Sequence, residues 1–219
     1  MFRGTGKSFG RYRPFGRVAA HRCLLRLLVG LFLLQHVGRV WFGSDFFGDY
    51  AALSASALRH GYVWTLLSYA FLHGGCLHLL LNGLLLHGVG RFVEERVGPG
   101  HFLGIFLGSA LAGAGFWLCL QPALPCSLIG ASAGIAGLLA YACLDLPQQR
   151  SWLLLLFVPI RLQLRTLLGL LFTLEIGGFL LLELPGLVPI AHSAHLGGLV
   201  AGTGYFFCRE TLSLRRPRR

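Results

Sequence analysis

Residues 130–137 read Gly130-Ala131-Ser132-Ala133-Gly134-Ile135-Ala136-Gly137. One hydroxyl stands in a run of very small side chains, inside a strongly apolar chain. Two readings are open. Small residues let helices approach closely in a membrane, and a serine among them bonds its own backbone. Alternatively the serine opens a helix, where bare backbone N–H groups face a developing oxyanion. Taken by itself the stretch favours packing. The rest of the chain decides what the packing serves.

Of 219 residues, 55% are hydrophobic and only 12% charged, with a mean hydropathy of +0.68. Soluble domains carry roughly 25% charged residues, so this is a membrane composition. The length suits one bundle of helices rather than several domains. The net charge of +11 sits at the chain ends and between apolar segments. That distribution orients a protein in a membrane. With the charge gathered at the ends and between apolar segments, no nucleic-acid partner is expected. The six cysteines have no CxxC or zinc-ribbon spacing and read first as small apolar fillers of helix surfaces. Cys119 and Cys126 flank one turn and would pair only if that side is oxidising.

The expected organisation is all-α, a polytopic bundle of six membrane spans. Residues 1–20 form a basic tail with no acid, and no apolar run followed by a cleavage site marks a signal peptide. This arginine-rich start also suits a mitochondrial presequence; a cytoplasmic tail is the preferred reading. The membrane domain covers 21–208, and a second basic tail covers 209–219. Spans are expected at about 23–42, 75–97, 101–120, 130–144, 164–182 and 191–208. Residues 43–73 are too polar for a turn and too aromatic for a free loop, and read as a structured interfacial loop. Ser151–Pro159 is apolar but far short of the about 20 residues a helix needs to cross, so it reads as an interfacial segment. With the N-terminus inside, all but Arg39 and Arg59 of the 19 Lys and Arg fall on the inner side. Such a bias sets the orientation.

Spans two, four and six begin on the outer side, and each start carries polar groups. His73, His78 and Asn82 belong to the second, Ser132 to the fourth, His192 and His195 to the sixth. His78 and Asn82 are four apart and share a helix face. His195, Gly198 and Gly202 form a small-residue face, and Ser132, Ala136 and Ala140 form another. If these faces meet, Ser132 meets His195. Polar groups inside a membrane are costly unless partnered. A serine and a histidine from two helices are a nucleophile and its base, and His78 with Asn82 supplies oxyanion donors. No acid is placed for a third member, since Asp145 lies at the wrong end of its helix.

The chain resembles the rhomboid family of intramembrane serine proteases. The matching pieces are Phe71-Leu72-His73 followed by His78-xxx-Asn82, Gly130-Ala131-Ser132, and Ala194-His195-xx-Gly198-xxx-Gly202. Their order, spacing and six-span frame match over about residues 20–208. The resemblance implies Ser132 as nucleophile and His195 as general base, then acid. It implies an oxyanion site from Gly130, the Ser132 N–H, His78 and Asn82, with His73 in a supporting place. It implies cleavage in or beside a transmembrane helix of another membrane protein, with substrate passing the fifth span under a cap at 183–189. No cofactor or metal is implied. The bare six-span frame points to a bacterial inner membrane. The departures are Ala133 where the family usually has Gly, Ala136 where an aromatic often packs on the histidine, and Thr65 where Arg is common.

Other readings stand beside this one. A catalytically silent relative would bind membrane clients without cutting. A metal-handling protein would use His73, His78, His192 and His195, although no acidic ligand is expected at their depth. His192 is expected to face water, and His21, His36, His60 and His101 to be interfacial. Glu175, mid-membrane, is expected to be protonated or hydrogen-bonded between helices, with Gly177-Gly178 permitting a bend.

Overall fold

The computed structural model describes residues 19–43, 45–120, 126–155, 158–187 and 190–215. The basic residues Arg3, Lys7, Arg11, Arg13, Arg17, Arg216, Arg218 and Arg219 therefore lie outside the described residues. So do residues 121–125, where a turn is expected from the sequence, and Pro189.

The apolar segments fold as helices: α1 (Ala20–Phe42), α5 (Cys76–Val97), α6 (Pro99–Leu120), α7 (Ser132–Asp145), α8 (Leu164–Glu183) and α9 (His192–Arg215). Three short helices, α2 (Phe46–Ala51), α3 (Ala55–Arg59) and α4 (Thr65–Ser68), lie between α1 and α5. Among the described residues, α1, α5, α6 and α8 are long and apolar enough to cross a bilayer. α7 has 14 residues. α9 has the length, but His192, Ser193, His195 and Thr203 make it more polar. It continues to Arg215, so the start of the expected C-terminal tail is helical.

The described chain is mostly helical, as expected, with one added element: Arg150–Leu155 and Val158–Gln163 pair as an antiparallel hairpin, β1 and β2, from Arg150 opposite Gln163 to Leu155 opposite Val158. Pro159 removes a donor and breaks a helix. Pairing across the hairpin satisfies these backbone groups instead. The Leu164 N–H closes its base on the Gln149 carbonyl at 2.8 Å.

α7 is the axis of the bundle. Its residues from Ala133 to Cys143 are mostly buried, and their small side chains let α6 and α9 close around it. The two expected small faces do meet, but one residue further round α7. A Cβ on Gly198 would overlap the Ala133 carbonyl, and one on Gly202 would overlap that of Gly137. Gly137 has no side chain to hold α9 away, whereas the methyls of Ala136 and Ala140 would. Ser132 and His195 still converge, because the pairing of α7 with α9 begins beside them.

Polar ties fix the remaining helices. Glu94 on α5 accepts from the Ala20 and His21 N–H groups at 2.8 and 2.9 Å and contacts His21 Nδ1 at 2.7 Å. A carboxylate at a helix start satisfies donors the helix cannot. His21 is buried where this contact forms. Arg96 pairs with Asp145 at 2.9 Å, joining the ends of α5 and α7. All six cysteines are free thiols, so Cys119 and Cys126 do not pair.

The aromatic loop is structured, as expected. Tyr62 stacks on Trp64 at 4.9 Å, and Trp64 Nε1–H donates to the Tyr50 carbonyl at 2.6 Å. Thr65 is buried, and its hydroxyl donates to the Tyr62 carbonyl at 2.6 Å. This threonine anchors the loop from within.

Candidate active site

The loop delivers the serine. Leu53 and Leu128 pair as an isolated bridge. The Gly130 N–H donates to the Tyr69 carbonyl at 2.9 Å, and the Tyr69 hydroxyl donates to the Ala110 carbonyl at 2.7 Å. Gly130 then turns the chain with φ +125°, in the region that glycine tolerates and other residues resist. α7 begins two residues later at Ser132. Its first N–H groups have no partner within the helix.

His195, on the first turn of α9, meets Ser132: its Nε2 lies 2.8 Å from Ser132 Oγ. Both groups are partly exposed. On the other side of the ring, His195 Nδ1 lies 3.1 Å from Glu175 Oε1. The second oxygen of Glu175 is 2.6 Å from His192 Nδ1. With both Nδ1 atoms facing carboxylate oxygens, the ring protons sit on Nδ1. His195 Nε2 is then free to accept from the serine hydroxyl. His192 is therefore held inward rather than facing water, and its ring occupies the space that a side chain on Gly178 would need.

His78 and Gly130 complete the corner. A Cβ on Gly130 would lie 2.8 Å from His78 Nε2 and 3.8 Å from Ser132 Oγ. Asn82 is buried one turn along α5, with its amide donating to the His78 carbonyl at 3.1 Å. In this conformation its donor is turned toward its own helix. His73 is fully buried, its ring edge-on to His78 at 5.1 Å. Its backbone N–H donates to Gln35 Oε1 at 3.1 Å. Ser132, His195, His78 and Gly130 are thus gathered at one point, with Asn82 and His73 immediately behind.

Two carboxylates of α8 have partners that the sequence reading did not identify. One is Glu175. The other is Glu183, buried at the end of α8, which accepts from the Ser193 N–H and hydroxyl at 2.6 Å each. The signal for Glu175 was its isolation, since no other ionisable group stands between Arg165 and Glu183. Glu175, His192 and His195 also bring possible metal-ligand atoms within 4.8 Å of one another, supplying the acid that the metal reading lacked.

The model of the rhomboid domain matches residues 60–210, a stretch that includes His73, His78, Asn82, Gly130, Ser132, Glu175, Glu183, His192 and His195. The chain belongs to the rhomboid family. A curated relative of this rhomboid is the "Rhomboid protease GluP" of Bacillus subtilis (strain 168), 30% identical over 165 residues. The match covers 75% of the present chain and 29% of that relative, so the chain spans less than a third of the relative's length. Family and apolar helices together make this rhomboid an integral membrane protein.

Proposed function

We propose that this rhomboid is an intramembrane serine endopeptidase that cleaves transmembrane segments of other membrane proteins. The observation that carries the reading is the 2.8 Å contact between Ser132 Oγ and His195 Nε2. A hydroxyl within hydrogen-bond reach of a base is the arrangement nucleophilic catalysis requires. Ser132 Oγ attacks the scissile carbonyl while His195 Nε2 takes its proton. The oxyanion forms beside the first N–H groups of α7, with His78 as a side-chain donor. Asn82 joins as a donor once its amide turns from the His78 carbonyl. His195 then protonates the leaving amine. Water, deprotonated by the same nitrogen, hydrolyses the acyl-enzyme.

In this reading α7 and α9 complete six spans, both termini are cytoplasmic, and the membrane is a bacterial inner membrane. Substrates are membrane proteins that reach Ser132 within the bilayer. The relative's name as a protease supports the class.

The test is labelling of the purified protein by a fluorophosphonate probe, beside Ser132→Ala and His195→Ala. Labelling of wild type that both variants lose supports the dyad. No labelling of folded wild type favours a silent, client-binding rhomboid. A second reading has the Glu175–His192–His195 group in its favour, because two imidazoles and a carboxylate suit zinc. Stoichiometric metal in the purified protein would support it.

A further inference from the structure

We infer that Glu175 is a positioning residue for His195, turning the Ser132–His195 pair into a three-member chain. This rests on the protease reading above. The three groups run in line: serine hydroxyl to Nε2 at 2.8 Å, then Nδ1 to carboxylate at 3.1 Å. A carboxylate on Nδ1 holds the imidazole in the tautomer and rotation that leave Nε2 facing the nucleophile.

Several observations show a place built for this group. A carboxylate in the middle of an apolar helix is expensive unless partnered, and here both oxygens are used. His192 takes the second oxygen, which pins the carboxylate plane. Gly178, three residues along α8 from Glu175, makes the room that the His192 ring needs. No side chain of α7 or α9 supplies an acid to His195, so the orienting group comes from a third helix.

That helix is the most lightly held of the four long apolar ones. Only 11% of its apolar window is buried, against 39% for α6. Leu174, Ile176, Leu180 and Leu181 face outward. Two carboxylates, Glu175 and Glu183, tie it to the start of α9. The positioning of His195 therefore lapses whenever α8 leaves α9.

The experiment measures kcat, KM and Tm of the full-length protein in detergent on a transmembrane reporter peptide, comparing wild type, Ser132→Ala, Glu175→Gln and Glu175→Asp. Gln offers one acceptor where two imidazoles need one each. Glu175→Gln is expected to lower kcat about 100-fold, within the range of acid–base contributions, with KM unchanged and a fold still cooperative in the Tm measurement. Asp restores the carboxylate one methylene short and falls between. A kcat for Glu175→Gln within about threefold of wild type overturns the inference. So does a fall in Tm with kcat retained, which is a structural role only. If Glu175→Gln does not fold, Asp decides: reduced kcat at constant KM supports the role, and unchanged kcat overturns it. A wild type no more active than Ser132→Ala overturns the protease reading and takes this inference with it.

Discussion

Gly202 of α9 lies against the backbone of Gly137 of α7, so close that a Cβ there would stand 2.6 Å from the Gly137 Cα. The contact is backbone on backbone, and neither side has a flexible tip that can yield. Gly202→Ala must push the helices apart, and overpacking costs about 1–3 kcal/mol. Because Ser132 and His195 stand within about two turns on the same pair of helices, the contact between them opens as well. Lower Tm and slower fluorophosphonate labelling are expected together. Gly204→Ala is the control, since nothing lies within 4 Å of a Cβ at that position. Equal behaviour of the two variants would remove the argument.

Gly130 makes the turn into α7, and two constraints meet there. Its φ of +125° is strained for any side chain, and a Cβ would sit 2.8 Å from His78 Nε2. On the protease reading, Gly130→Ala should shift the corner where the oxyanion would form. The Cβ would displace His78, the side-chain donor of that reading; losing one oxyanion donor costs about 10²–10³ in kcat, and a fall of that order is expected with substrate binding retained. Gly74→Ala adds a methyl at 3.5 Å from Ile129 and 4.0 Å from His78, ordinary contact, and should leave kcat within about twofold of wild type. A Gly130→Ala variant with wild-type kcat would show that the corner takes no part.

Helix positions and the meeting of Ser132 with His195 were legible because they follow from periodicity. Small residues three and four apart define faces, and faces that fit bring their neighbours together. Glu175 was legible as a costly group needing a partner, but not as the partner of His195. That pairing depends on how far α8 is rotated about its own axis, which a nearly uniform apolar surface does not encode. His192 shares a face with His195 by its i, i+3 spacing, yet its place at a helix start suggested water. The hairpin was hidden because a short apolar run reads equally as helix or strand. The register of α7 on α9 was off by one residue, since alanine and glycine both count as small while only glycine exposes its backbone.

His73 precedes α5 in the loop and is fully buried beside His78. Burial first, and the His78 charge second, push its pKa down from 6.5 to about 4. The folded protein therefore resists a proton that the unfolded chain accepts. Its contribution to stability is complete above pH 6.5 and is lost as pH falls from 6.5 toward 4. The loss amounts to about 3 kcal/mol at most. His73→Phe removes the titration, so its Tm should vary less across that window than the wild-type Tm. Parallel Tm–pH curves for the two proteins would show that His73 is not the group responsible.

Glu183 and Ser193 form the second tie between α8 and α9. The buried carboxylate accepts both the N–H and the hydroxyl of Ser193, satisfying donors at a helix start where negative charge is favourable. Glu183→Ala strands those donors and should cost about 1–3 kcal/mol. Ser193→Ala removes one bond of the two and should cost less. The variants act on one shared contact, so the double variant should be less destabilised than the sum of the singles, with a coupling of about 1 kcal/mol. Hydrogen exchange offers an independent reading, because the last turn of α8 and the first of α9 should lose protection together in Glu183→Ala. Strict additivity, or exchange that rises in one helix alone, would mean that the contact does not bind the two helices.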